Sequence, residues 1–213
     1  MANYCRHRLV IKGTPEEVER VVEEIRGRPG TPQELMDLNH IAPAPKSITR
    51  LQYFESLDAL ERAAESETAF EDYRRRKAAA RSAAWVETGC ENWGEWAQAT
   101  WGSAGNVFDV EFSADEYGVI YFSSLWSPVI PALCELSRAF PTITLGLSFA
   151  EEGGYYIGKG TIKNGKKRVK GYTIRMPEGR RLFEQFWGEW FGPEGDDDKD
   201  DDGILDLSHK TAS

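Results

Sequence analysis

The 213-residue chain has little of several things that usually announce a function. Its three cysteines, Cys5, Cys90 and Cys134, are an odd number with no Cys-x-x-Cys pair. No disulfide framework is implied, and a reducing compartment fits. Histidine is as scarce, with His7, His40 and His209 alone. Cys5 and His7 share one face of a predicted strand, but no second closely spaced ligand pair accompanies them, so no metal site is expected. No apolar run approaches the ~18 residues of a membrane span. The start, Met1 to His7, lacks the apolar stretch of a signal peptide, so a cytoplasmic location is expected, with no membrane partner. Positive charge is also short: 26 basic against 35 acidic residues give a net charge of -9. Bulk charge alone therefore argues against a simple cationic binder of nucleic acid or membrane surface.

What is present is an ordinary globular composition, 40% hydrophobic with a mean hydropathy of -0.52. Its charge is unevenly laid out. Residues 193–213 carry eight acidic residues and two lysines, a net of -6, which leaves -3 for the remainder. Residues 159–175 carry Lys159, Lys163, Lys166, Lys167, Arg168, Lys170 and Arg175 with no acid. One domain over 1–192 is expected, followed by an acidic tail too poor in apolar residues to fold alone.

Residues 4–12 alternate as a strand, with Cys5, His7, Leu9 and Ile11 on one face and Tyr4, Arg6, Arg8 and Val10 on the other. Thr14-Pro15-Glu16-Glu17 is a capping box, and Val18, Val21, Val22 and Ile25 give the stripe of an amphipathic helix. Residues 31–56, with three prolines, read as irregular, docked by Leu38, Ile41 and Ile48. Residues 57–84 read as one helix with a basic face, and 90–99 as a shorter one. Strands are expected at 107–113, with Phe108, Val110 and Phe112 on one face, and at 118–124. A helix follows Ser127-Pro128 and ends at Pro141. Residues 142–149 alternate with Ile143, Leu145, Leu147 and Phe149 inward. Strands 155–163 and 168–175 are joined by Asn164-Gly165, a hairpin turn signal, and a last helix covers 178–191. The order of the core elements is βαββαβ, so the expected fold is α+β: a ferredoxin-like sandwich with a helical insertion at about 30–105 and a C-terminal hairpin plus helix.

Several blocks in this order resemble the YubB family, ferredoxin-like proteins of phages and conjugative plasmids that include an Api-type phage-protein domain. They are Asn3-Tyr4-Cys5, Leu38 to Pro45, Glu95 to Ser103 with Asn106 and Asp109-Val110, Leu125-Trp126-Ser127-Pro128, Phe140-Pro141, and Glu151 through Gly153 to Gly158. Ala104 and Gly105 stand where the family has Lys and Trp, so the roles of those two side chains do not carry over. The resemblance implies a fold and a mobile-element setting rather than a reaction.

The chemistry-bearing motifs are sparse. Gly160 to Lys167 reads G-x-x-x-x-G-K-K, but it lacks the Ser or Thr that holds magnesium in a phosphate-binding loop and lies between two strands. No cofactor is expected. Asp109 with Glu111, and Glu151 with Glu152, are carboxylate pairs whose ordinary role is a solvated strand face or a turn. Trp93, Trp96, Trp101 and Trp126 are the densest aromatic set; Trp101 and Trp126 are expected to be mostly buried, holding the insertion against the sheet, with exposed recognition as the alternative. Ferredoxin-like sheets can stack bases on their two central strands. Here the candidate platform is Tyr4, Arg6, Arg8 and Tyr121, and the candidate phosphate contacts are Lys163, Lys166, Lys167, Arg168 and Lys170. The competing role of those lysines is to protect an edge strand from pairing.

The expectation is a non-enzymatic accessory protein that binds a host or plasmid macromolecule. One form is an inhibitor of a host-defence complex of CRISPR or restriction type, its acidic surface mimicking phosphate. The other binds nucleic acid directly through residues 159–175.

Overall fold

The structure is a computed structural model and describes residues 3–189; the acidic segment 193–213 lies outside them. Strand β1 (Tyr4–Lys12) alternates buried and exposed side chains along its length. Helix α1 (Pro15–Ile25) begins at the expected capping box: Thr14 Oγ1 accepts from the Glu17 amide, and the Glu17 carboxylate accepts from the Thr14 amide. Strands β2 (Phe108–Phe112), β3 (Val119–Leu125) and β4 (Thr144–Glu151), with helix α7 (Ile130–Ala139) between the last two, complete a βαββαβ order. Strands β5 (Ile157–Lys163) and β6 (Lys166–Tyr172) follow, then helix α8 (Pro177–Trp187). All pairings are antiparallel, in the order β2-β3-β1-β4-β5-β6. The first four strands are the ferredoxin-like sheet, and the hairpin widens it beyond β4.

The register assigns every side chain to a face. Leu9, Ile120, Leu147 and Ile162 stand on the face covered by α1 and α7, in one continuous core. The opposite face carries Arg6, Arg8, Val10 and Lys12 of β1 with their cross-strand neighbours. At the turn between β5 and β6, Asn164 and Gly165 both have positive φ, 46° and 73°, the geometry a two-residue hairpin loop demands. The G-x-x-x-x-G-K-K run is therefore hairpin, with no helix to cradle a phosphate.

The segment between α1 and β2 differs from its sequence reading. The stretch expected to be irregular holds α2 (Leu38–Ile41) and α3 (Lys46–Glu55). The single helix expected over 57–84 is two, α4 (Leu57–Ala63) and α5 (Glu67–Thr88). The break is made by Ser66, whose hydroxyl accepts from the Ala69 amide and starts a new helix. Apolar spacing runs through this break, which is why periodicity alone missed it. Helix α6 (Trp93–Trp101) closes the segment and packs on α7.

β2 also departs from strict alternation. Its register to β3 shifts between Phe108 and Glu111, and Asp109 sits at φ 50°. This bulge puts Phe108 opposite Ser123 on the uncovered face and Phe112 opposite Ile120 on the core face. The expected sharing of one face by these two phenylalanines is thus corrected. Phe108 meets Tyr4 edge-on, ring centroids 5.2 Å apart.

Candidate nucleic-acid interface

The uncovered face divides along the strands into two halves. Near the start of β1, helix α8 lies on it. Leu182 and Phe183 form a second small core with Ala150, Ile157 and Tyr172. Trp187 Nε1 donates to the Ala150 carbonyl at 2.9 Å. Arg6 belongs to this lid: its Nη1 donates to the Phe186 carbonyl at 2.6 Å, and its guanidinium stands 4.0 Å from the centroid of the Trp187 ring. Arg6 was expected to be a platform residue; the lid engages its charge instead.

Beyond α8 the face is open, and the register arranges it in three rows. The first is Tyr121, Arg8, Ser148, Lys159 and Lys170. The second is Val119, Val10, Gly146, Thr161 and Arg168. The third pairs Lys12 with Thr144 and, across the hairpin, Lys163 with Lys166. Seven cations (Arg8, Lys12, Lys159, Lys163, Lys166, Arg168 and Lys170) share this half-face; its acids lie at the β2–β3 edge, where Glu111 continues the first row opposite Tyr121 and Glu116 reaches Arg8. A shallow groove of about 310 Å³ crosses it, with Val10, Gly146 and Thr161 along its middle and Arg8, Lys12, Ser148 and Lys159 at its sides. Arg8 is partly tied down: its Nη2 donates to Glu116 at 2.7 Å and its Nε to Tyr121 Oη at 3.2 Å. The Lys159 and Lys170 ammoniums stand 5.7 and 5.1 Å from the Tyr172 ring centroid, at the foot of α8.

The sequence-derived candidates separate on this map. Lys163, Lys166, Arg168, Lys170, Arg8 and Tyr121 fall on the open half-face. Lys167 pairs with the buried Ile162 and so stands on the opposite face, since neighbours on a strand alternate. Tyr4 lies beyond α8, against Phe108. Lys159, part of the basic run 159–175, joins the open half-face, and Lys12 and Gly146 complete the surface without having been selected from sequence. Lys12 and Gly146 are more than 130 positions apart, and only strand pairing joins them.

The tryptophans also separate. Trp93, Trp96 and Trp101 form a triad with ring centroids 5.1–5.3 Å apart. Trp101 is 1% exposed and donates its Nε1 hydrogen to the Ala42 carbonyl at 2.8 Å, tying α6 to the segment after α2. Trp126 is outside this triad, 46% exposed at φ 68°, in the turn after β3. Its expected burial is therefore corrected: left-handed backbone turns the ring outward, while its amide donates to the Asn3 carbonyl.

Most of the blocks that resembled a family meet at the end of the sheet where β1 begins, whereas Phe140-Pro141 precedes β4 at the other end. Ser127 Oγ donates to the Gly102 carbonyl, and the Ser103 hydroxyl both accepts from the Leu125 amide and donates to the Leu125 carbonyl. Asn106 Oδ1 accepts from the Leu38 amide while its Nδ2 donates to Asp37. The buried carboxylate of Glu151 accepts from the Asn3 side chain and the Tyr155 amide. These side chains are used to fix loops to the sheet. Asp109 and Glu111 instead line a second cavity, about 410 Å³, with Arg6, Tyr121, Gln185 and Phe186 between β2, β3 and α8.

Two buried groups, Cys5 and His7, are held neutral by their surroundings. Burial, and secondarily the charge of Glu151, push the Cys5 thiol well above its ordinary value. His7 is buried, stacked on Phe122 with ring centroids 4.5 Å apart, and its Nε2 has no hydrogen-bond partner. Desolvation lowers its pKa from 6.5 to about 3. Between those values the unfolded chain binds one more proton here than the folded one. Stability from this residue is complete above pH 6.5 and falls by at most ~1.4 kcal/mol per pH unit as pH drops toward 3. His7→Phe is expected to remove that slope, read as the difference between the two proteins' denaturation midpoints from pH 7 to 4. Equal slopes would place the His7 proton elsewhere. Among the described residues no cluster of three or more metal-ligating side chains occurs, and no helix is long and apolar enough to cross a membrane.

No curated protein matches the chain. A solved structure, the protein api92 from Yersinia pseudotuberculosis, aligns over 81% of this chain and 98% of its own, at 12% identity and a TM-score of 0.45. Residues 107–176, from β2 through β6, match the family model described as the ferredoxin-like domain in Api92-like protein, and it is to that domain that this part of the chain is similar.

Proposed function

We propose that this protein is a non-enzymatic accessory protein that acts by binding nucleic acid, with phosphates held against the open basic half of its sheet. One observation carries the reading: seven cations from three strands, β1, β5 and β6, share one uncovered surface in a chain whose net charge is -9. An edge hairpin guarded only against pairing needs its lysines on β6. It does not need Arg8 and Lys12 of β1 and Lys159 of β5 on the same face. The phage or plasmid setting belongs to this proposal and rests on the YubB resemblance.

Titrating the full chain with DNA and RNA at rising salt tests it. Log affinity should fall linearly with log salt, with a slope of about -0.7 per phosphate contacted on a single strand and about -0.9 on a duplex. Absence of binding at low salt would sink the reading. The competing reading, an inhibitor of a host-defence complex, is favoured by the acidic remainder, including Glu16, Glu17, Glu19, Glu23 and Glu24 on α1. It predicts a host protein retained on the immobilised chain after nuclease treatment.

A further inference from the structure

Within that nucleic-acid reading, on which this inference rests, we infer that the groove over Gly146 seats a single strand, bound by its backbone without base selection. Three features of the groove lead there. First, it has a wall: α8 covers the row of Arg6, Ala150, Ile157 and Tyr172, next to the row of Arg8, Ser148, Lys159 and Lys170. A duplex laid on the face meets this helix, whereas one strand passes beside it. Second, its middle is small and uncharged, Val10, Gly146 and Thr161, between cations on both sides. Alternate residues on a strand are about 6.8 Å apart, so the flanking rows stand about 13–14 Å apart, room for one sugar–phosphate chain with phosphates reached from either side. Third, the three rows hold one aromatic, Tyr121, and its hydroxyl accepts from Arg8. Stacking, by which single-strand binders usually hold bases, has no platform here. Affinity then comes from phosphates and varies little with base sequence.

Gly146 allows this to be separated from simple charge attraction. Its φ is not in the left-handed range, and a Cβ there would meet Val10 Cβ at 3.5 Å and Lys12 Cε at 3.8 Å, ordinary contacts. Gly146→Val therefore fills the middle of the groove and keeps every charge. Thr161→Leu, at an exposed position one strand over, does the same from the other side. The experiment is fluorescence anisotropy of the full chain with single-stranded oligothymidylate, a mixed-sequence single strand, and a duplex of equal length, with thermal melting of each variant alongside. The expected result is tighter binding of both single strands than of the duplex. Both variants should weaken single-strand binding about tenfold or more, that is by ~1.4 kcal/mol, while duplex affinity and melting temperature stay unchanged. Equal or better duplex binding, or single-strand affinity untouched in both folded variants, overturns the groove and leaves the basic surface as the binding site. No binding of any of the three overturns both readings.

Discussion

Replacing Trp101 with alanine is expected to lower unfolding free energy by about 3–5 kcal/mol, as truncating a buried aromatic does. The indole is enclosed by Trp93 and Trp96 and packs in the main core. Its loss also leaves the buried Ala42 carbonyl without the indole donor, adding the penalty of an unmet acceptor. Because α6 packs on α7, the loosening should spread from the helical segment into the sheet layer. Urea unfolding followed by fluorescence and far-ultraviolet dichroism measures it. Trp126→Ala is the internal comparison: with its ring half exposed, a change within about 1 kcal/mol is expected, at the upper end for a surface position. A Trp101 variant with unchanged stability and lost nucleic-acid affinity would instead make this residue part of a recognition surface.

Exchanging Lys159, Arg168 and Lys170 together for glutamine is expected to reduce nucleic-acid affinity on the order of 100-fold at low salt, since each removes a charge-assisted contact. The three lie on adjacent strands of the open face, Lys159 opposite Lys170 and Arg168 opposite Thr161. For a single strand, the salt slope should become shallower by about 2, which is 0.7 for each of three phosphates. All three side chains are exposed, so folding should be little affected, apart from the weak contacts of the two lysines with Tyr172. Lys167→Ala separates local geometry from bulk charge. It belongs to the same basic run, but its pairing with Ile162 places it on the other face. Its removal should leave affinity nearly unchanged. A loss per charge as large as in the triple variant would mean that only net charge matters, and the surface would lose its meaning as a site.

The contrast between Lys167 and its neighbours shows where sequence reading stops. The alternation in 142–149 was legible because Ile143, Leu145, Leu147 and Phe149 repeat with period two, and all four are buried as that pattern requires. The capping box at Thr14 and the Asn-Gly turn were legible for the same reason: each is a hydrogen-bond or dihedral demand met within four residues. The order of these local elements sufficed for the ferredoxin-like fold. The bulge in β2 was not legible, because φ 50° at Asp109 is tolerated by the residue rather than announced by it.

The candidate surface was half legible. The basic run at 159–175 stands in the sequence, and the alternation of β1 put Arg8 on its outer face. That those two outer faces are one face depends on β4 pairing with both β1 and β5. That Arg6 is engaged and Arg8 borders open surface depends on where α8 comes to rest, which Phe183, Leu182 and the indole of Trp187 decide by packing on Ala150, Ile157 and Tyr172. Periodicity and capping are short-range, so the chain carries them in its own order of residues. Which cations share a face, and which of them a helix covers, are set by tertiary contacts, the pairing of β1 with the distant β4 and the packing of α8 on β4 to β6, and those exist only once the sheet has closed around its core.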